Sequence, residues 1–338
     1  MSIRPVLRSV LSKAPWRRLL STFGKGVREN QTFGLPDGRI LGFAEYGSRE
    51  GKPLLFFHGY PSSRLEASGV DELARRRGLR VISLDRPGYG LSTTQPKRTI
   101  MDWPADIRAF AEGMKLDRFA IIGGSGGGPY ALACAHALPR EMLTGVGLFA
   151  SAPPWLAGAH HMSRLQRAMC FMANNTPGVL SAVIRVLVAT VKQIAESKLG
   201  QRKFDELIEK LDREAGLHKP QAWESEEAEA KDKKDQRNFT MNLLVGEPMR
   251  QGVGAAVHEA KLLSAHDWGF KFEDVGYNQV WIWHGVNDAN APIVMIEYLA
   301  KRLPHCTLRA FSDDTRFTMF KRLEVALDDL FPEENRKL

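Results

Sequence analysis

A serine set among glycines is the part of this sequence best suited to chemistry. Gly123-Gly124-Ser125-Gly126-Gly127 follows the apolar run 119–122 and precedes a helical segment with Pro129 in its first turn. A serine held on a sharp turn from strand to helix needs neighbours without side chains, and a helix N-terminus favours negative charge on a reacting oxygen. The pattern predicts a nucleophile at Ser125, with a plain glycine-rich turn as the alternative.

The elements around this turn follow from short apolar runs that alternate with helical patterns. Such runs are typical of strands buried on both faces, and they cover residues 54–57, 81–84, 119–122, 146–149, 280–283 and 307–311. Upstream, residues 31–47 alternate apolar and polar positions around Pro36-Asp37-Gly38, as two strands joined by a turn do. The alternation predicts an α/β fold with a doubly wound, mostly parallel sheet.

One connection is too long for a crossover between parallel strands. Roughly 130 residues of mostly helical character separate the runs at 146–149 and 280–283. We therefore expect residues 154–275 to form a helical cap, inserted between core segments 31–153 and 276–338. The Met-bearing stretch 162–172 would line a substrate pocket or, as happens more often, belong to ordinary core packing.

Two further motifs follow the first strands of this alternation. His58-Gly59-Tyr60-Pro61 comes directly after 54–57, and Asp85-Arg86-Pro87-Gly88-Tyr89-Gly90 follows the next strand. In this order, together with the serine turn, they closely resemble the α/β-hydrolase superfamily, particularly its proline-iminopeptidase-like and esterase-like members. The resemblance implies that the backbone N–H groups of Tyr60 and Gly126 form an oxyanion hole, and that His58 is structural.

The same resemblance assigns the acid of a catalytic triad, but this chain has no histidine at the position of the base. In His284-Gly285-Val286-Asn287-Asp288, Asp288 matches the family's acid, with a loop-capping carboxylate as the alternative. The family's histidine lies in a loop after the last strand, where this chain has Arg316, and no histidine follows His305. A guanidinium is always charged and accepts no proton, so we expect Arg316 to pair with Asp288 instead.

The remaining histidines offer weak replacements for that base. His284 and His305 lie in the wrong places along the chain, at the start of the acid segment and before the last strand. The histidines in or beside the cap remain open candidates, although such residues more often belong to a surface or a core; they are His160, His161, His258 and His266.

Two functions remain open at this point. The first is a serine-dependent hydrolase of a small ester, lactone, thioester or amide, whose partner is a small molecule with a carbonyl group. The second is a catalytically diverged relative that binds a ligand or performs a non-hydrolytic step. No cofactor or metal is expected, because no Lys followed by Ser or Thr accompanies the glycines, and Cys134, Cys170 and Cys306 lie far apart.

The net charge of +8 does not indicate a nucleic-acid partner. Seven basic residues against Glu29 place six of the eight charges in residues 1–30. Nor is a stable membrane span expected, since the best stretch, 178–191, is short and interrupted by Arg185. It reads more readily as a lid helix.

The basic leader, residues 1–30, predicts a location for the protein. Its serines and arginines are interleaved with apolar residues at helical spacing, which is typical of a mitochondrial transit peptide leading to the matrix. A disordered basic tail, an interfacial anchor and a cytoplasmic protein are the alternatives.

A fusion of residues 1–30 to a fluorescent protein tests this prediction. We expect the fusion to colocalise with a matrix marker, because an arginine-rich amphipathic segment is the feature that import recognises. The control replaces Arg4, Arg8, Arg17 and Arg18 with Gln. A diffuse cytosolic signal from the unaltered fusion would contradict it.

Overall fold

Eight strands form a single sheet in the computed structural model, which describes residues 28–214 and 226–332 and all their side chains except those of 207–214 and 226–230. The strands are β1 Arg28–Gly34, β2 Ile40–Gly47, β3 Lys52–Phe57, β4 Leu79–Leu84, β5 Phe119–Gly124, β6 Leu143–Phe149, β7 Val280–Gly285 and β8 Cys306–Phe311. Their order is β1-β2-β4-β3-β5-β6-β7-β8. The predicted leader lies outside the described residues except for its last three, which begin β1.

The pairing is parallel everywhere except at one edge. β1 pairs with β2, and β2 with β4, in antiparallel fashion, whereas β4, β3, β5, β6, β7 and β8 are mutually parallel neighbours. In the middle of the sheet, Leu54 of β3 lies opposite Ala120 of β5. The carboxyl ends of the parallel strands therefore meet at one edge, where α/β folds bind ligands.

Ten α-helices among the described residues accompany the sheet. They are α1 Asp71–Arg76, α2 Trp103–Gly113, α3 Gly128–Ala137, α4 Arg164–Asn175, α5 Pro177–Glu196, α6 Lys198–Glu214, α7 Glu226–Met241, α8 Gly254–Leu263, α9 Ile293–Arg302 and α10 Leu323–Leu330. Helices α4 to α8 all lie between β6 and β7, in the segment expected to form the cap.

Both faces of the sheet are covered, which explains the continuous apolar runs. Leu55 and Ile121 are buried with residues of α2, α3 and α9, whereas their neighbours Leu54 and Ile122 are buried with residues of α1 and α10. Successive strand residues point to opposite faces, so a strand covered on both faces must be apolar throughout. The predicted doubly wound, mostly parallel sheet is confirmed.

One cap helix is longer than the sequence pattern indicated. Helix α5 has 20 residues and is long and apolar enough to cross a membrane by length and composition, although almost none of its most apolar stretch is buried. It continues past the predicted stretch 178–191. The charged residues Lys192 and Glu196 are accommodated in the added turn because their side chains are exposed to solvent.

A buried network of charges joins the segment expected to form the cap to the loops that follow β3 and β4. Arg86, after β4, is fully buried and pairs with Glu259 of α8, with Nη2 2.5 Å from Oε1. Arg98 donates to the other carboxylate oxygen over 2.6 Å. Arg86 also donates to the backbone carbonyls of His58 and Gly59, over 2.5 and 2.8 Å. One guanidinium thus fixes the loop after β3 against the cap.

Removing the shared carboxylate should destabilise the protein far more than removing an exposed one. We expect Glu259→Ala to cost about 3–5 kcal/mol of unfolding free energy, because Arg86 and Arg98 would remain buried without their counter-charge. The exposed pair Arg108–Glu112, 2.9 Å apart, provides the control: Glu112→Ala should cost under about 1 kcal/mol. Urea denaturation measures both, and equal midpoints would contradict the prediction.

Candidate active site

Ser125 occupies a sharp turn between β5 and α3. Its backbone has a φ of +49°, in the left-handed region that non-glycine residues rarely adopt. A short 3-10 turn, Ser125–Gly127, leads directly into α3. Strain of this kind costs roughly 1–3 kcal/mol and persists where the surrounding structure fixes it, often at functional sites.

The glycines around Ser125 are required by close backbone contacts. A Cβ on Gly123 would lie 2.4 Å from the carbonyl oxygen of Gly127, and one on Gly127 would lie 2.1 Å from that of Phe57. Side chains cannot be accommodated at such distances. The turn therefore presses against the end of β3, which brings Ser125 next to the loop that follows this strand.

The two expected oxyanion donors lie side by side. A Cβ on Gly126 would lie 3.2 Å from the backbone nitrogen of Tyr60 and 2.7 Å from its Cβ. The Tyr60 hydroxyl donates to the carbonyl oxygen of Ala256 in α8 over 2.9 Å, so the cap holds this loop from above. The structure brings Tyr60, Gly126 and Ser125 together.

Arg316 bridges the serine and the acid. Its Nη1 donates to Ser125 Oγ over 2.5 Å and to the carbonyl oxygen of Ala150 over 2.9 Å. Its Nε donates to Asp288 Oδ1 over 3.3 Å, and Nη2 lies 3.1 Å from Asp288 Oδ2. The expected ion pair is present. Arg316 thus has the contacts of a triad histidine but can only donate hydrogen bonds.

Asp288 is held by its own loop as well as by Arg316. Its Oδ1 accepts the backbone N–H groups of Asn290 and Ala291, over 2.8 and 3.1 Å, so the capping role considered as an alternative is also real. His284 lies beside it, with Nε2 2.8 Å from the carbonyl oxygen of Ala291. Burial lowers the pKa of His284, which keeps its ring neutral.

The other histidines have partners or positions away from Ser125. His58 Nδ1 lies 2.8 Å from the carbonyl oxygen of Gly59, and its Nε2 accepts from the backbone of Arg86 over 3.1 Å. Burial lowers the pKa of His58, which is consistent with a structural role. His258 Nε2 lies 2.9 Å from the carbonyl oxygen of Arg98.

The cap histidines that remain are exposed. His160 and His161 pack against each other, with ring centroids 3.9 Å apart, and His161 lines an open groove beside Asp288. His266 is exposed as well. Within the part of the chain that the structure describes, no cluster of three His, Cys, Asp or Glu residues is arranged to hold a metal ion.

A carboxylate that sequence reasoning missed lies beside Ser125. A Cβ on Gly59 would be 3.2 Å from Ser125 Cβ and 3.3 Å from Glu66 Oε2, so both side chains border the space beside this glycine. The backbone N–H of Gly59 donates to Glu66 Oε2 over 2.8 Å. Burial raises the pKa of Glu66, while hydrogen bonds from Ser62 and Gly59 and the charges of Arg86 and Arg316 oppose the shift.

Ser125 opens onto a largely apolar cavity of about 210 Å³. Apart from Tyr60, the polar side chains of its lining are Ser62, Glu66, Ser125 and Arg316. The larger apolar lining residues come from the sheet, from α10 and from the cap, and they are Leu54, Phe56, Val81, Ile122, Phe149, Leu243, Leu244, Phe317, Phe320, Leu323 and Leu327. The stretch 162–172 is not part of this lining. Met162 and Met172 instead pack in small hydrophobic clusters, the alternative that the sequence favoured.

Comparison with known proteins identifies the fold family. A family model described as alpha/beta hydrolase fold matches residues 52–322. The chain is 34% identical over 120 residues to a non-heme chloroperoxidase from Streptomyces lividans, covering 35% of this chain and 43% of the relative. It is 30% identical over 112 residues to a proline iminopeptidase from Xylella fastidiosa, covering 31% of this chain and 34% of the relative. The matches thus span less than half the length of these relatives.

A solved structure extends the likeness to nearly the whole chain. An esterase from Exiguobacterium antarcticum superposes with a TM-score of 0.56 and 18% identity, covering 89% of this chain and 97% of that chain. At this identity the likeness concerns the fold. The resemblance inferred from the motifs is confirmed.

Replacing the bridging guanidinium by an imidazole should raise esterase turnover. In Arg316→His the new ring lies between Asp288 and Ser125 and is able to accept the serine proton, a contribution typically worth about 10²–10⁴ in rate. We expect hydrolysis of p-nitrophenyl butyrate to rise at least about tenfold.

The control, Arg316→Gln, removes the charge without supplying a base and should not accelerate hydrolysis. An Arg316→His protein that is folded by circular dichroism but no faster than the unaltered chain would contradict the assignment of Arg316 to the histidine position.

Proposed function

We propose that this chain, which belongs to the alpha/beta hydrolase fold family, hydrolyses a small ester with an apolar acyl group at Ser125. The observation that carries the proposal is the position of Ser125, which is strained at the end of β5 and faces an apolar cavity beside two backbone donors. Lactones, thioesters and small amides share the carbonyl that this arrangement would attack.

The cavity supports an apolar acyl group over a charged one. Its walls are leucine, valine and phenylalanine side chains, and burying apolar surface there contributes roughly 25 cal/mol per Å². Leu243 and Leu244 from the proposed cap, residues 154–275, complete this wall, so the cap takes part in selecting the substrate.

The polar groups are arranged for charge that develops on oxygen. An attack by Ser125 Oγ on the carbonyl carbon moves negative charge onto the carbonyl oxygen, beside the backbone nitrogens of Tyr60 and Gly126. Nη1 of Arg316 already donates to Ser125 Oγ, which stabilises that oxygen as it loses its proton.

Glu66 is the group that we propose as the proton acceptor. Arg316 donates to Ser125 Oγ, so the hydroxyl proton of Ser125 is directed to another acceptor. Glu66 shares the cavity with Ser125 and lies across Gly59 from it. A carboxyl whose pKa is raised by burial is a stronger base than an exposed one once it is ionised.

The reaction balances with these residues alone. Glu66 takes the Ser125 proton as the Oγ–carbon bond forms, then returns it to the departing alkoxide as the ester bond breaks. In the second half, Glu66 takes a proton from water, whose oxygen attacks the acyl carbon. The bond to Oγ breaks, Ser125 regains a proton, and the carboxylic acid leaves.

Three variants test this function. Ser125→Ala should abolish turnover of p-nitrophenyl butyrate, and Glu66→Gln should lower it at least about 100-fold, because the amide is not a base. In the double variant Arg316→His with Glu66→Gln, the imidazole supplies another base and turnover should return. The exposed carboxylate Glu112 provides the control, since Glu112→Gln should leave turnover unchanged.

The pH profile gives an independent check. Only ionised Glu66 accepts a proton, so turnover should rise as pH increases through a pKa above the ordinary glutamate range, and this limb should disappear in Glu66→Gln. Full activity in Glu66→Gln would exclude Glu66 as the acceptor but leave the hydrolase proposal intact. Absence of turnover together with absence of Ser125 labelling by a fluorophosphonate would overturn the hydrolase proposal.

Ligand binding without turnover is the second candidate function. The observation that favours it is the set of contacts through which Arg316 fills the place of a base between Asp288 and Ser125. A carboxylate with an apolar tail would then suit the cavity. In this case the unaltered chain would be inert, and octanoate would raise its Tm more than 1-octanol does.

A further inference from the structure

The outer surface of the cap is apolar to an unusual degree. Of the twelve exposed large hydrophobic residues in the described part of the chain, eight fall between residues 165 and 199, on α4, α5 and the start of α6. The most exposed of them are Val186 at 67%, Phe171 at 65% and Leu199 at 63%. Soluble monomers rarely expose large contiguous apolar patches, so this surface is a candidate interaction site.

Helix α5 carries most of this surface as a continuous stripe. Val179, Val183, Val186, Leu187 and Ile194 are all more than 40% exposed. Their spacing, at i, i+4, i+7, i+8 and i+15, places them within about 100° of one face of a helix with 3.6 residues per turn. We call these five residues the outer stripe.

A different face of α5 already packs on the protein. Leu180 is fully buried and belongs to a cluster with Ala173 of α4 and with Val257 and Ala260 of α8, against which Ile184 and Tyr60 also pack. The apolar outer stripe is therefore additional to the face that holds the helix in place. Core packing does not explain it.

The exposed charges of residues 164–198, the segment that carries the outer stripe, are almost all positive. This segment has one exposed acidic residue, Glu196. Its exposed basic residues are Arg164, Arg167, Arg185, Lys192 and Lys198. An exposed apolar helix face accompanied by basic residues is the pattern of helices that lie in the interface of an anionic membrane.

The connections of α5 favour a helix lying on the membrane over one crossing it. Thr176 alone separates α5 from α4, and Ser197 alone separates it from α6. Crossing would pull Leu180 from its buried cluster, whereas lying flat leaves that cluster intact and places Val186 and Leu187 in the acyl boundary. Tyr60, which lines the cavity, packs against the same cluster as Leu180, so a docked cap would bring the site close to the lipid.

We propose that the outer stripe of α5, with Phe171 and Leu199 beside it, docks this protein on the surface of anionic lipid membranes. Apolar side chains enter the acyl boundary, and the surrounding arginines and lysines contact lipid headgroups. The proposal does not depend on catalysis at Ser125, and its test does not use turnover.

Vesicle sedimentation tests the proposal with the full chain. Sucrose-loaded vesicles of phosphatidylcholine and phosphatidylserine should sediment the unaltered protein, and pure phosphatidylcholine vesicles should sediment less of it. The double variant Val183→Glu with Val186→Glu should bind the mixed vesicles at least tenfold more weakly. Because residues 1–30 are basic and remain in every variant, a difference between variants reports the cap alone.

A matched control separates the outer stripe from general apolar exposure. Ile40 and Val294 are exposed to a similar degree, at 46% and 42%, outside the cap, and Ile40→Glu with Val294→Glu should bind as the unaltered protein does. Equal binding by the cap variant and the unaltered protein would overturn the proposal. Absence of vesicle binding would overturn it as well. Light scattering would then show either a dimer that the cap variant breaks, which makes the stripe a dimer interface, or a monomer, in which the chain itself covers the stripe.

Discussion

The buried ion pair between Arg86 and Glu259 holds together the parts of this molecule that must meet at the site. Arg86 lies after β4, Glu259 lies in α8, and the carbonyls that Arg86 also binds belong to the loop after β3. Each charge would be costly to bury alone, so the pair forms only when the cap, the sheet and this loop are assembled together. The position of Tyr60, and hence the space in front of Ser125, depends on that assembly.

Within this framework, Arg316 changes the chemistry of the site while keeping its shape. Its positive charge is balanced by Asp288, and its remaining donors reach Ser125 and the carbonyl of Ala150. The guanidinium spans the gap between Asp288 and Ser125, but unlike an imidazole it accepts no proton. Glu66 is the one carboxyl among the described residues that line the cavity with Ser125, and this makes it the proton acceptor that we propose.

The cap has two apolar surfaces with different consequences. Leu243 and Leu244 face inward and close the cavity in front of Ser125. The outer stripe of α5 faces away from the core, and Leu180 on the neighbouring face of the same helix is fully buried. An apolar substrate held in a membrane and a membrane-facing cap would suit each other, because Leu180 of the same helix belongs to the cluster against which Tyr60 packs.

The sequence by itself determined the strands and the serine turn, and it predicted Arg316 at the position where the family's motif order has a histidine. These rest on local patterns: strands buried on both faces must be apolar throughout, a tight turn needs glycine, and the order of motifs along the chain identifies positions. The pairing of Arg316 with Asp288 followed from their charges. The cap was predicted from the length of one connection, but its inward residues were not, because a helical pattern does not reveal which helix reaches the cavity.

Only the tertiary structure decided which distant side chains share a site. Glu66 follows an ordinary strand and loop, and nothing in its spacing distinguishes it. It lines the same cavity as Ser125, and both side chains border the space that a side chain on Gly59 would occupy. Arg86 and Glu259 are 173 residues apart and pair only across the interface between sheet and cap. Likewise, periodicity shows that α5 is apolar, whereas packing alone determines that one apolar face is buried and another is left to the solvent.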